Sequence, residues 1–153
     1  MKRWLAYTAA LILLAVFPLQ GTDVGKLAPV EAVWLTEQNG QIYLQTDTGD
    51  VGRGEDVRSA LQNMKATAYG TIFLDTADYL IVQEGKETLL QQVYDVLRPS
   101  CMVCSAAKIP DLERAVEFLA AHEPEITLRA YRVTHNSIPK LTEQEGRYKW
   151  FDS

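Results

Sequence analysis

The sequence predicts an α/β fold in which a mixed β-sheet carries about three packed helices, with an N-terminal β-hairpin, and three observations carry that expectation. Short β-rich runs alternate with amphipathic stretches between residues 55 and 134. An Asn-Gly pair separates two alternating runs near residue 40, and proline or glycine marks most of the remaining joints. Strands separated by helices favour a sheet with parallel pairs, because a parallel pair needs a crossover of a dozen residues or so and a helix fills it.

Val30 to Thr36 and Gln41 to Thr46 flank Glu37-Gln38-Asn39-Gly40. They read as a hairpin, since Asn-Gly accepts the positive φ angles of a tight reversal. Asp47 to Gly54 contains Gly49, Gly52 and Gly54 and reads as a loop. Glu55 to Ala66 sets Val57, Leu61 and Met64 at helical spacing with Ala60 beside them. Thr71 to Leu74 is expected as a short or irregular strand and Tyr79 to Val82 as a buried one. A second helix is expected over Lys86 to Leu97, where Leu89, Leu90, Val93 and Leu97 share a face before Pro99.

Cys101 to Ala107 is a small, apolar run of strand length. A third helix is expected over Asp111 to His122, between Pro110, tolerated at an early helical position, and Pro124. Glu125 to Thr134 alternates Ile126, Leu128 and Ala130 and suggests a final strand. Lys140 to Ser153 reads as a polar C-terminal tail in which Trp150 and Phe151 point to a docking contact. The expected organisation is a leader over 1–21, a single α/β domain over 22–139 and the tail over 140–153.

The leader has two positive charges in Met1-Lys2-Arg3, then fourteen uncharged residues from Trp4 to Phe17. That is the pattern of an export signal, too short to span a bilayer comfortably, and Pro18 ends any helix it could propagate. The rest of the chain is therefore expected outside the cytoplasm, either secreted or anchored by an uncleaved leader at the outer face of the cytoplasmic membrane. Gly21 suits a cleavage site, whereas the bulky Leu19 does not. The formal charge is −5 and becomes −7 if Lys2 and Arg3 leave with the leader. Such a chain is a poor match for nucleic acid, whose phosphates call for clustered Lys and Arg. A content of 47% hydrophobic residues is that of a folded globule rather than a disordered tail.

The sharpest local feature is Cys101-Met102-Val103-Cys104, since an exported C-x-x-C can be a redox pair. On a strand, however, the two side chains point to opposite faces and cannot bridge without distortion. Two structural thiols are the favoured reading, with a local disulfide and a thioredoxin-like redox pair as alternatives. Zinc would need two more ligands, and His122 and His135 are the only histidines. His135-Asn136-Ser137 lacks the surroundings of a hydrolase nucleophile and reads as a polar turn. Asp47 to Gly54 lacks the lysine of a phosphate loop. Asp75 and Asp78 fit turn chemistry better than a calcium site. No catalytic residue, metal or cofactor is assigned.

The order of elements carries a resemblance. Gly21-Thr22-Asp23 leads through Leu27-Ala28-Pro29-Val30 into a first strand, and Val57-Arg58-Ser59-Ala60-Leu61 opens a helix. Thr71-Ile72-Phe73-Leu74 precedes Asp78-Tyr79-Leu80-Ile81-Val82-Gln83-Glu84-Gly85, and Leu89-Leu90 runs on to Val96-Leu97-Arg98 before Cys101 to Ala107. Over about residues 21–122 this resembles the N-terminal domain of the C subunits of bacterial spore germinant receptors, exported lipoproteins of spore-forming bacteria. Thr22 stands where that family carries its lipidated cysteine, and the resemblance is expected to extend only to the family's first domain. The resemblance implies a non-enzymatic membrane-surface component of sporulation or germination, with integral membrane protein subunits as partners.

Overall fold

The computed structural model describes residues 27–151, so the leader lies outside the described residues. The α/β class is as expected: seven strands form one mixed sheet, with helices on both faces. The strands are β1 (Leu27–Pro29), β2 (Ala32–Gln38), β3 (Gln41–Thr46), β4 (Val51–Gly54), β5 (Thr71–Phe73), β6 (Tyr79–Gln83), β7 (Met102–Ala106), β8 (Lys140–Gln144) and β9 (Arg147–Trp150). The main sheet runs β4-β3-β2-β6-β7-β8-β9, and β1 pairs with β5 apart from it. β2, β6, β7 and β8 are parallel, while antiparallel hairpins close both ends.

The first hairpin turns where the sequence places it, with Asn39 at φ 53° and Gly40 at φ 77°. β2 and β6, buried on both faces, divide their side chains by strand alternation. Val33, Leu35, Leu80, Val82 and Val103 join one core, against α1 (Val57–Thr67) and the 3₁₀ turn Glu87–Val93. Ala32, Trp34, Ile81 and Cys104 join the other, against Leu112, Ala115 and Leu119 of α2 (Leu112–Ala121). Each large side chain so buried contributes about 1.5–3 kcal/mol relative to exposure.

A reciprocal cap starts α1. Asp56 accepts the Ser59 amide at 2.7 Å, and Ser59 Oγ accepts the Asp56 amide at 3.1 Å. The Ser59 amide first, and then its hydroxyl, lower the pKa of the Asp56 carboxyl from its ordinary value.

Four expectations are corrected. Val51–Gly54 is an edge strand rather than loop, because Gly52 and Gly54 let α1 lie directly on its backbone. Lys86 to Leu97 winds as 3₁₀ over Glu87–Val93, which stacks the buried Leu90 and Val93 three residues apart while leaving the expected face inward. The strand expected over Glu125 to Thr134 is mostly helix, α3 (Leu128–Thr134), started by Thr127, whose hydroxyl accepts the Ala130 amide at 3.1 Å. Residues 140–150, expected in the polar tail, are the hairpin β8–β9, reversed by Glu145 at φ 52° and Gly146 at φ 74°. Its Leu141, Tyr148 and Trp150 pack in the second core.

Candidate functional site

The site grows from the way β7 shares its outer edge between two partners. Pro110 is buried beside the start of α2, where Asp111 accepts the Arg114 amide at 3.3 Å. The helix stops at His122, and Pro124, lacking an amide hydrogen, turns the chain back toward the sheet. There the Val103 amide donates to Ile126 at 2.9 Å and the Leu128 amide to Cys101 at 2.8 Å. After α3 the chain reverses at His135, φ 50°, and climbs along residues 136–139. The Ser105 amide then donates to Pro139 at 2.9 Å, and β8 pairs with β7 only at Ser105 and Ala106. One half of β7 is thus bonded to Ile126–Leu128 and the other to β8.

The fork between these arms is an open cleft of about 1060 Å³, with Ile126 and Ile138 in its wall. His122, Glu125, Asn136, Lys140, Trp150 and Phe151 also line it. Phe118 fixes the aromatic wall: its ring centroid lies 4.9 Å from His122, 5.6 Å from Trp150 and 6.3 Å from Tyr148. Lys140 Nζ sits 2.6 Å from Glu84 Oε1 and 5.3 Å from the Phe151 centroid, so its charge is compensated. Polar and apolar residues share the wall about equally, with Glu123, Thr134 and Ser137 beside Pro124, Ala130 and Pro139. Among the described residues no three His, Cys, Asp or Glu side chains gather to hold a metal ion.

The cysteines lie elsewhere. Cys101 and Cys104 are free, fully buried and in different cores, on opposite faces of the sheet. Burial raises the Cys101 thiol from its ordinary 9.0 to about 12, and burial, followed by Cys101 itself, raises Cys104 too. A redox pair needs adjacent, accessible sulfurs and a depressed pKa, and all three requirements are unmet here. Asp78 pairs with Arg98, and Asp75 lies exposed in a 3₁₀ turn. Asp47 does not hold a phosphate loop but accepts the Glu31 and Ala32 amides at 3.1 and 3.2 Å.

Of the residues singled out in the sequence, the fork gathers His122, Asn136, Ser137, Trp150 and Phe151. It adds Glu125 and Lys140, whose local sequence carries no motif. The signal that could have found the fork is the pairing of Leu141, Tyr148 and Trp150 about Glu145-Gly146, a second hairpin with one apolar face. No family model, curated protein or solved structure matches this chain.

Proposed function

We propose that this chain is an exported, non-enzymatic binding and assembly domain, held at the outer face of the cytoplasmic membrane by its N-terminal segment, that receives a partner in the fork between β7 and β8. The observation that carries the reading is the cleft itself, lined by Trp150 and Phe151 together with Ile126 and Ile138. Aromatic anchors in a concave patch are the usual centre of a protein interface. The export signal and the resemblance to germinant receptor C subunits supply the setting: a component of sporulation or germination whose partners are integral membrane protein subunits.

A photo-crosslinker in place of Phe151 tests this in a sporulating host. The expected adduct joins the chain to an integral membrane subunit of a germinant receptor, and Asn136→Arg, at an exposed residue of the cleft wall, reduces its yield several-fold while the domain keeps its fold. Adducts restricted to soluble proteins, together with unimpaired germination of spores lacking the chain, would refute the proposal.

A further inference from the structure

We infer that Tyr69 and Phe73 form a lipid-contacting patch that seats the domain on the interfacial region of a phospholipid bilayer. The inference rests on the membrane-anchored reading above, and it adds a surface that the reading does not specify.

β1 is the first described element, and it pairs in parallel with β5, Leu27 opposite Thr71 and Pro29 opposite Phe73. The chain therefore arrives from its leader at the end of β5 that Tyr69 and Gly70 precede. Only residues 18–26 separate the apolar run ending at Phe17 from Leu27. Fully extended, so short a tether reaches about 30 Å. With the leader retained, the β1–β5 pair cannot lie farther than that from the membrane.

The side chains at this end fit such a place. β5 buries Ile72 and turns Thr71 and Phe73 outward. Phe73 is 37% exposed and Tyr69 is 108% exposed, the most exposed of the large apolar side chains. No aromatic or cation contact within the fold holds either ring among the described residues. Phe73 also lines a hollow of about 370 Å³ walled by Leu61, Ile72, Leu74 and Val96, with Gly70, the residue after Tyr69, and Lys65 and Asp75 at it too. Tyrosine at the headgroup level is the ordinary aromatic belt of membrane proteins: the ring sits in the apolar boundary and the hydroxyl stays wet. The opposed charges of Lys65 and Asp75 give no net attraction to anionic lipid, so the contact is apolar and insensitive to salt.

The test uses the full chain in phosphatidylcholine vesicles, with Tyr69→Cys carrying an environment-sensitive fluorophore and Arg147→Cys, at the far turn of β8–β9, as the control. The buried native thiols leave the label on the introduced cysteine. Flotation reads the anchoring, and quenching by nitroxide-labelled lipid reads the contact. Expected is a chain that floats, with several-fold stronger quenching and a blue-shifted emission at 69 relative to 147, both unchanged by added salt. A chain that floats while position 69 is as wet as 147 overturns the patch and leaves the anchor standing. A chain that does not float overturns the anchored reading, and the patch falls with it.

Discussion

The two ends of the sheet are built on opposite plans. At the β4 end the edge is sealed. α1 lies so close that a side-chain carbon at Gly52 would fall 2.7 Å from Met64 Cβ and closer still to the Ala60 carbonyl. The outward Arg53 amide is bonded by Asn63 Oδ1 of the same helix at 3.1 Å. At the β9 end the sheet divides, β7 serves two partners in turn, and the opening between them is wide enough for a guest. An exposed strand edge is a hazard that proteins blunt with cover or charge. Here one edge is covered by a helix, whereas the β9 edge carries Arg147 and Lys149, both exposed. The difference separates a closed edge from an open one, and the binding role proposed for the fork belongs to the open one.

The largest expected effect tests the seal. Gly52→Ala forces a methyl against backbone, which cannot swing aside as a flexible side chain would. Overpacking of this kind costs typically 1–3 kcal/mol and occasionally more, and the backbone contact puts Gly52→Ala at about 3 kcal/mol. Denaturant titration should show that loss. A midpoint indistinguishable from the natural chain would mean that α1 is not seated on β4 as described.

The second prediction concerns β7, where closed sheet and fork meet. Both thiols have raised pKa values in the folded chain, so the folded state holds their protons after the unfolded state has released them. Their contribution to stability is therefore complete below the ordinary value of about 9.0 and is lost as pH rises toward about 12 for Cys101. The expected slope in that window is about 1.4 kcal/mol per pH unit for each thiol. Cys104→Ala lowers the overall level through its cavity but should remove one thiol's share of the slope. In alkylation at pH 8 without denaturant both thiols should react slowly, because both are fully buried and burial raises both pKa values. Fast, equal reaction of both would place them on an accessible surface and return the redox alternative to contention.

These two ends were also unequally legible in the sequence. Asn39-Gly40, the Val57–Met64 face and the apolar runs of β6 and β7 declare themselves, because each answers to a local rule of turn chemistry or periodicity. β4 does not, since its glycines mimic a loop and their reason, the helix lying on them, is tertiary. Ile126, Leu128 and Ala130 alternate like a strand, yet the Thr127 cap and the packing of Leu128 and Tyr131 against the first core make most of that stretch a helix. β8–β9 is disguised by its charge. As an edge hairpin it buries one face only, and Lys, Glu, Gln and Arg fill the other. Of the fork only that hairpin arm left a trace in the sequence, in Leu141, Tyr148 and Trp150 about Glu145-Gly146; its other walls come from segments that meet only because β7 changes partners midway.

The smallest effect is the most specific to the seal. Asn63→Ala removes the acceptor for the Arg53 amide, but both residues are exposed and water replaces the bond. Such a bond contributes about 0.5–1 kcal/mol, while replacing Asn by Ala inside a helix returns roughly 0.5 kcal/mol through propensity. Net stability should therefore hardly move, and a denaturation curve is the wrong instrument. Hydrogen exchange is the right one: the Arg53 amide should exchange faster in Asn63→Ala, while amides of β2 and β6 keep their protection. If Arg53 exchanges equally in both proteins, the helix covers β4 by bulk alone, and the edge is guarded by shape rather than by a bond.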